Sequence, residues 1–293
     1  MNKLWLALGA LAILSPPLLA DPTTQLTLEP QIKQLEDDKK TNVEALGEYV
    51  DRTFSRHEPV YIVGGSDPAI KFQLSGKYQV LNDYYMEHDK ADPPWWSKFY
   101  LAYTQTSLWD VGAPSAPFYD TTYRPEVLWS TEKLYTQQLG DTRWALLTDF
   151  QTGLTHESNG KAGDDSRSLN SFFIEPMFTL AQTDDYFIKF APKMKVYLGS
   201  LADNRDIVDY RGYADLKFII GSTKGLELAF IGRIGDDWDK GSIQLDVTYP
   251  LKRLYKRLDA VCIDLQIFSG FGESLRDYNE SATTIRIGAS LVR

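Results

Sequence analysis

The sequence lacks long apolar runs, cysteine pairs and an excess of basic residues, and each absence excludes a class of protein. Beyond residue 20, no apolar stretch approaches the roughly 18 residues that a membrane-spanning helix needs. The lone cysteine, Cys262, excludes a disulfide within the chain and is interpreted as a small buried or lipid-facing residue. The formal net charge of -9 argues against nucleic acid as a partner. Any role in a membrane must therefore use strands.

Residues 1–20 have the layout of a secretory signal peptide. Lys3 precedes an apolar run, and small Ala20 stands before the polar start at Asp21. The run is too short and wrongly flanked for a membrane helix. An uncleaved anchor is the alternative, but Ala20 and the polar residues after it favour cleavage. The mature chain is expected to begin at Asp21 and to work outside the cytoplasm.

A change of pattern near residue 59 divides the rest of the chain. Residues 21–58 are polar and charged, and the sequence leaves open whether they form a short helix or an extended segment. Over residues 59–293, short alternating runs separated by turn residues predict antiparallel strands. The predicted strands lie near residues 60–64, 69–80, 97–110, 122–131, 143–158, 169–180, 185–198, 209–221, 226–234, 241–249, 261–272 and 282–292. Their number, about twelve, is even, as in bacterial single-chain barrels.

The distribution of aromatic and apolar residues favours a barrel in a membrane. Mean hydropathy is low, at -0.32, yet aromatic residues make up 13% of the sequence, which fits strands that are apolar on one face only. Large apolar residues collect on single strand faces, as in Phe172, Ile174, Phe178 and Leu180. Alternation alone also fits a soluble sandwich or a lipocalin-like barrel. We predict an all-β fold, a twelve-stranded antiparallel transmembrane β-barrel of the outer membrane.

The connections between the predicted strands alternate in length, and this alternation orients the barrel. Short links at 139–143, 182–185, 222–225 and 251–260 contrast with longer polar loops elsewhere, such as 159–168. Outer-membrane barrels have short periplasmic turns and longer extracellular loops. The strand end before residue 159 is therefore expected near the outer leaflet.

Three polar residues at that end have the types needed for nucleophilic serine chemistry, which requires a hydroxyl, a base and a group that orients the base. His156 and Ser158 are two residues apart on the apolar face of one strand, roughly 6–7 Å apart at the backbone. If the loop closes a hairpin, Asn170 is a cross-strand neighbour of His156. In the alternative interpretation, all three are ordinary polar residues at the end of a hairpin and have no catalytic role. Polar groups on a lipid-facing surface are nevertheless costly unless they function.

The residues around this constellation resemble a known family. The run His156-Glu157-Ser158-Asn159-Gly160, with Ser166-Arg167-Ser168 and Asn170 after it, closely resembles the active-site segment of the bacterial outer membrane phospholipase A (phospholipase A1) family. Further matches occur in order at residues 103–105, 115–118, 123–126 and 269–279. The resemblance implies a twelve-stranded barrel that hydrolyses sn-1 and sn-2 acyl esters of phospholipids, and lysophospholipids, at a Ser-His-Asn triad on its lipid-facing wall.

Residue by residue, the resemblance implies the following roles. Ser158 is the expected nucleophile, His156 the general base and Asn170 the orienting group. The Gly160 backbone N–H, with a cation beside it, is expected to form the oxyanion site. The family is calcium-dependent and works as a homodimer that shares the metal site. The expected calcium ligands are Lys161 through its carbonyl, Ser166 through its side chain, Asp203 through water, and Ser115 of the partner subunit.

Two departures and two alternatives accompany the resemblance. Lys161 stands where the family usually has arginine, and Gly163 replaces an acidic residue associated with a second calcium site, which the sequence leaves open. A non-catalytic porin-like or structural barrel is the main alternative. A soluble secreted ester hydrolase is disfavoured because the sequence has no G-x-S-x-G elbow.

Gln105 shares its strand face with apolar residues, so its amide is expected to lack hydrogen bonds in a monomer and to favour dimerisation.

Overall fold

The computed structural model describes residues 47, 50, 53–81, 95–139, 142–253, 255, 257–258 and 260–291, but not the side chains of 132–146. The chain divides into two units, Met1–Asp51 and Arg52–Arg293. The predicted signal peptide and most of the predicted polar segment lie outside the described residues. Within the described ranges, no helix is long and apolar enough to span a membrane.

Antiparallel strands dominate the second unit, as the alternating pattern predicts. In its described part the strands are β1 (Phe54–Ser55), β2 (Val60–Gly65), β3 (Ile70–Gln79), β4 (Phe99–Trp109), β5 (Phe118–Leu139), β6 (Thr142–Ser158), β7 (Ser168–Gln182), β8 (Tyr186–Leu198), β9 (Ala214–Ser222), β10 (Glu227–Ile234), β11 (Gly241–Pro250), β12 (Val261–Phe271) and β13 (Ser281–Leu291). A short helix, α1, spans Ile207–Arg211, and single turns of 3-10 helix lie at Trp95–Ser97, Gly163–Asp165 and Leu251–Arg253.

The long strands close into a barrel. Each of β2 to β13 pairs with its sequence neighbours, and β13 pairs with β2, from Arg286 opposite Gly65 to Leu291 opposite Val60. The two-residue β1 adds only a short pairing to β3. Closure leaves no open edge among the twelve long strands, which a sheet in hydrocarbon requires. The predicted twelve-stranded antiparallel barrel is confirmed.

One predicted strand begins later than expected. The pattern predicted a strand over residues 209–221, whereas the structure forms α1 first and starts β9 at Ala214. Gly212 separates the two with a φ of 53°, and a Cβ there would lie 1.9 Å from the Ile234 carbonyl oxygen. Glycine therefore allows a sharp change of direction between helix and strand, against the neighbouring strand end.

The side chains face the opposite way from those of a soluble barrel. On β13, Ile285 and Ile287 are 55% and 60% exposed on the outer wall, while Arg286 between them is 1% exposed and faces the interior. Successive side chains alternate between the two faces of a strand. A soluble sandwich would bury the isoleucines, so this alternative is wrong, and the outer wall suits lipid.

The barrel interior contains hydrogen-bonded charged side chains. The Glu126 carboxylate lies 2.5 Å from His57 Nε2 and accepts a 2.8 Å hydrogen bond from the Thr155 hydroxyl. Arg124 donates a 3.2 Å hydrogen bond to Glu58. His57 and Glu58, the last described residues of the predicted polar segment, thus contact the inner wall. These pairs occupy space that would be water in an open porin channel.

Candidate active site

The hairpin of β6 and β7 places a histidine opposite an asparagine on the outer wall. His156 pairs with Asn170 in the strand register, and both side chains are exposed. His156 Nδ1 lies 2.8 Å from Asn170 Oδ1. An amide oxygen can only accept a hydrogen bond, so Nδ1 carries the ring proton and is the donor. Nε2 is then unprotonated and can act as a base. Leu154 and Phe172, two residues further into the wall, are exposed, so this polar pair ends an apolar stripe.

Ser158 lies two residues from His156 on the same outward face. Its backbone is opposite Ser168 on β7 and Tyr123 on β5. In the described structure its hydroxyl makes no hydrogen bond to His156. Such contacts are often long in a free enzyme and tighten only when substrate binds. The predicted shared face of the three residues is confirmed, whereas their catalytic roles stay predictions.

Asn159 organises the loop that follows Ser158. It is 4% exposed, and its side-chain nitrogen donates a 2.8 Å hydrogen bond to the Asp165 carbonyl. Its side-chain oxygen accepts hydrogen bonds from the backbone N–H groups of Lys161 and Arg167, at 3.3 and 3.0 Å. Sequence reasoning gave Asn159 no individual role. The available signal was an asparagine before glycine at a strand end, which is typical of a side chain that closes a turn.

Gly160 occupies a position that only glycine fits well. Its φ is 65°, and a Cβ there would lie 3.0 Å from a ring carbon of Tyr123. The left-handed conformation is costly for residues with a Cβ. The loop therefore turns sharply beside Ser158, with the Gly160 N–H in the turn.

Replacing Gly160 by alanine is expected to destabilise this turn by about 1–2 kcal/mol and to lower any activity of the site. The matched control is Gly163→Ala, because Gly163 has a similar φ of 68° but a Cβ added there would meet no atom within 4 Å. Thermal unfolding and turnover of both variants check the prediction. Equal losses in the two would show that the Tyr123 contact is unimportant.

A buried ion pair lies directly behind the site. Glu157, between His156 and Ser158, faces the interior and accepts two hydrogen bonds from Arg211 of α1, at 2.9 and 3.4 Å. Both side chains are almost fully buried. Bidentate pairs of this kind fix geometry as well as charge. The pair ties α1 to the strand segment that carries the site.

The loop before α1 brings a carboxylate to the start of β7. Asp203 Oδ2 accepts a 3.2 Å hydrogen bond from the Ser168 hydroxyl, and Asn204 Oδ1 accepts one from the Ser168 N–H. Ser166, two residues before Ser168, ends the turn Gly163–Asp165 and donates its N–H to the Gly163 carbonyl. Asp203 thus contacts Ser168, which is two residues along the chain from Ser166, and the calcium ligands stay predictions.

Lys161 lies in the loop between β6 and β7, and Ser115 lies in the loop between β4 and β5. The Lys161 ammonium donates a 2.8 Å hydrogen bond to the Tyr119 carbonyl, so its side chain is bound to the backbone of β5. Ser115 is exposed and has a φ of 65°, which is uncommon for a residue with a Cβ. The described residues contain no hydrogen bond between Ser115 and Lys161, Ser166 or Asp203.

The oxygen atoms in these loops fit calcium better than a transition metal. No group of three histidine, cysteine or acidic side chains that could hold a metal occurs in the described parts of the chain. Asp203, the Ser166 hydroxyl and the Lys161 carbonyl are hard oxygen donors. Calcium accepts such donors together with water, at flexible geometry.

The loop at residues 272–280 contacts the start of β5 and the loop before α1. Asp120 accepts hydrogen bonds from the backbone N–H groups of Leu275 and Arg276, at 3.1 and 3.0 Å. Tyr278 donates to Asp206 and packs against Leu275. Burial, together with this hydrogen bond, raises the pKa of the Tyr278 phenol, so it stays a neutral donor. Sequence reasoning found this segment only through the resemblance and did not predict its packing.

The fold and site define a class: a closed, lipid-facing β-barrel that carries a histidine–asparagine pair and a serine on its outer wall. The family model for phospholipase A1 matches residues 46–291, and the chain belongs to this family. The predicted resemblance is confirmed.

Relatives and solved structures agree with this assignment. Phospholipase A1 of Klebsiella pneumoniae is 34% identical over 193 residues, which are 65% of this chain and 61% of that protein. The outer membrane phospholipase A of Escherichia coli superposes with a TM-score of 0.64 at 25% identity, over 82% of this chain and 92% of that one. The Salmonella typhi outer membrane phospholipase, solved as a dimer with bound calcium, gives the same TM-score and identity over 82% and 93%. The chain spans 61% of the length of the Klebsiella relative that it matches.

Proposed function

We propose that the chain is a calcium-dependent outer membrane phospholipase, active as a dimer, that hydrolyses the sn-1 and sn-2 acyl esters of phospholipids and lysophospholipids. The observation that carries the proposal is the 2.8 Å hydrogen bond between His156 and Asn170 on a lipid-facing wall, next to Ser158. Polar groups at such a surface are expensive unless they have a function. Family membership supports an ester-hydrolysing activity.

The three residues act as nucleophile, base and orienting group in this mechanism. The Ser158 hydroxyl attacks the acyl carbonyl carbon while His156 Nε2 takes its proton. Asn170 holds the ring by accepting a hydrogen bond from Nδ1, which leaves Nε2 as the base. The imidazolium then protonates the departing lysophospholipid alcohol. Water, deprotonated by the same nitrogen, then attacks the acyl-serine carbonyl carbon, and the imidazolium returns that proton to Ser158 Oγ as the fatty acid leaves.

The loop after Ser158 supplies the surroundings of the developing oxyanion. The Gly160 N–H is the proposed donor to it, held by the left-handed turn. Bound calcium would add positive charge beside the oxyanion. The chain's own proposed ligands are the Lys161 carbonyl, the Ser166 hydroxyl and Asp203, with Ser115 of the partner subunit completing the set. Asp203 already lies close enough to accept from Ser168.

The proposed dimer rests on the shared cation and not on an unpaired amide. The sequence suggested that Gln105 would lack hydrogen bonds in a monomer, and that expectation is wrong. The Tyr103 hydroxyl donates to the Gln105 amide oxygen at 3.0 Å, and the amide nitrogen donates to Ser107 at 3.2 Å. The amide of a single barrel is therefore largely satisfied. Dimerisation in the Salmonella typhi relative, which binds calcium, supports a dimer here.

The direct test is fatty-acid release from phosphatidylcholine micelles by the purified, refolded full chain. Hydrolysis is expected with calcium and is expected to stop with chelator. Cross-linking in the same samples reports the dimer. A folded protein that releases no fatty acid at any calcium concentration would favour the non-catalytic barrel.

Asp203→Asn is expected to raise the calcium concentration needed for activity by about 10- to 100-fold. Asp203 is proposed to hold the cation through water, and loss of such an outer-sphere group typically weakens metal affinity by that factor. Lys161→Arg is the control and is expected to be nearly silent, since only the carbonyl of that residue is proposed to bind. Titration of activity against free calcium checks both variants. A large rise in the Lys161→Arg variant would contradict a backbone role.

A further inference from the structure

The inner wall between β11 and β12 carries two carboxylates that lack a basic partner. Asp246 and Asp264 both face the interior, on neighbouring strands. No salt bridge joins either of them to a basic side chain in the described part of the chain. The nearby cations Lys71 and Arg286 instead share a single carboxylate, that of Glu273, at 3.4 and 2.5 Å.

Three oxygen atoms in this part of the wall, one of them from a carboxylate, are buried without a hydrogen-bond partner: Asp264 Oδ1, Gln266 Oε1 and Thr248 Oγ1. Asp264 and Gln266 are 3% and 1% exposed, and Thr248 is 9% exposed. Thr248 lies opposite Asp264, and Asp246 opposite Gln266, so the four side chains form one patch on the inner wall. A buried polar atom left unpaired is costly, so three in one patch call for water, a proton or a bound ion.

The hydrogen bonds of the patch fix which atoms are free. Asp246 accepts hydrogen bonds from two amides: Gln266 Nε2 donates to Oδ1 at 2.8 Å, and Gln244 Nε2 donates to Oδ1 at 3.1 Å and to Oδ2 at 2.9 Å. Turning the Gln266 amide over would place its oxygen against a carboxylate, so Gln266 Oε1 is the free atom. Asp264 receives a hydrogen bond from Ser290 but keeps Oδ1 unpaired. The free atoms of Gln266 and Asp264 are thus acceptors, which positive charge satisfies.

Three of the four residues border a cavity that can hold water. Gly288 lies opposite Asp264 on β13 and contributes no side chain to the inner wall. A cavity of about 320 Å³ inside the barrel is lined by Asp246, Thr248 and Asp264, among other residues. Several water molecules fit in such a volume.

We propose that this patch binds a divalent cation that prefers oxygen ligands, Ca²⁺ being the ion to test. Its ligands are two carboxylates, one hydroxyl and one amide carbonyl, with water from the cavity: Asp246, Asp264, Thr248 and Gln266. Two negative charges match a divalent ion, and six to eight oxygen ligands are usual for calcium. The site lies inside the barrel and is independent of the proposed chemistry at Ser158.

The test counts Ca²⁺ bound to the refolded full chain in detergent, by equilibrium dialysis after removal of metal with chelator. An Asp203→Asn background weakens the proposed outer site. In that background Asp264→Asn is expected to remove about one bound Ca²⁺ per chain and to abolish the rise in unfolding temperature caused by calcium. The control is Asp239→Asn, an equal change of charge at an exposed loop residue, which is expected to remove none.

Folding of each variant is checked by heat-modifiable mobility on gels, and Asp246→Asn makes the same test if Asp264→Asn does not fold. Equal Ca²⁺ binding in the Asp264→Asn and Asp239→Asn variants would overturn the proposal. The proposal would also be overturned if the Asp264→Asn variant unfolded at a higher temperature than its parent both in calcium and in chelator. Either result would mean that water or a proton fills the patch.

Discussion

Replacing Ser158 by alanine is expected to lower phospholipid hydrolysis by roughly 10⁴- to 10⁶-fold, because the members of a catalytic triad act as a unit. The barrel should fold normally, since the Ser158 hydroxyl faces outward and contributes no hydrogen bond to the described structure. His156→Ala is expected to lose about as much. Asn170→Ala should lose less, because it removes the group that orients the ring and leaves nucleophile and base in place.

The matched control for Ser158→Ala is Ser269→Ala, which removes a hydroxyl from the outer wall on β12, where the Ser269 hydroxyl lies 3.0 Å from that of Thr283. Hydrolysis by this control should equal that of the unaltered protein. Labelling with a sulfonyl fluoride should be lost in Ser158→Ala and kept in Ser269→Ala. Substantial turnover by a pure Ser158→Ala protein would refute the proposed nucleophile.

Replacing Arg211 by methionine is expected to destabilise the barrel by about 3–5 kcal/mol, because it leaves the Glu157 carboxylate buried without its partner. Activity should also fall, since Glu157 stands between His156 and Ser158 and a shift of the strand would misplace both. The free energy of unfolding in urea and the rate of hydrolysis check the two effects. Combining Arg211→Met with Glu157→Gln should recover part of the stability, because the unpaired charge is then gone.

Arg276→Met is the control for that experiment, because Arg276 and Asp165 form an ion pair in the neighbouring loops that is much more exposed. Exposed pairs contribute roughly 0–1 kcal/mol, so this variant should unfold almost like the parent. If the Arg211→Met and Arg276→Met variants lost equal stability, the buried pair would have no special role.

The strands and the outward site could be predicted because both depend on local alternation. A period of two residues assigns His156, Ser158 and Asn170 to one face without knowledge of the rest of the fold. The ends of strands were less predictable. β5 runs over Phe118–Leu139, far beyond the predicted 122–131, since its backbone continues to pair with β6 where the side-chain pattern carries no signal.

The contacts between distant residues could not be predicted from the sequence. His57 meets Glu126, and Arg211 meets Glu157, only because the closed barrel brings their strands and loops together. A polar residue on an inward face predicts that some partner exists, but the barrel register decides which one. The unpaired oxygens of Asp264 and Gln266 are likewise invisible in the pattern, since each follows an ordinary alternation.

The pairing of β13 with β2 also has a consequence for how the barrel assembles. Leu291 lies opposite Val60, so the ring can close only after nearly every other strand has found its place. Contacts between residues so distant in the chain form slowly. Until they form, both strand edges expose unpaired amide and carbonyl groups that hydrocarbon cannot satisfy. Insertion into the bilayer must therefore be coupled to closure, and a chain that stopped short of β13 would aggregate through its open edges.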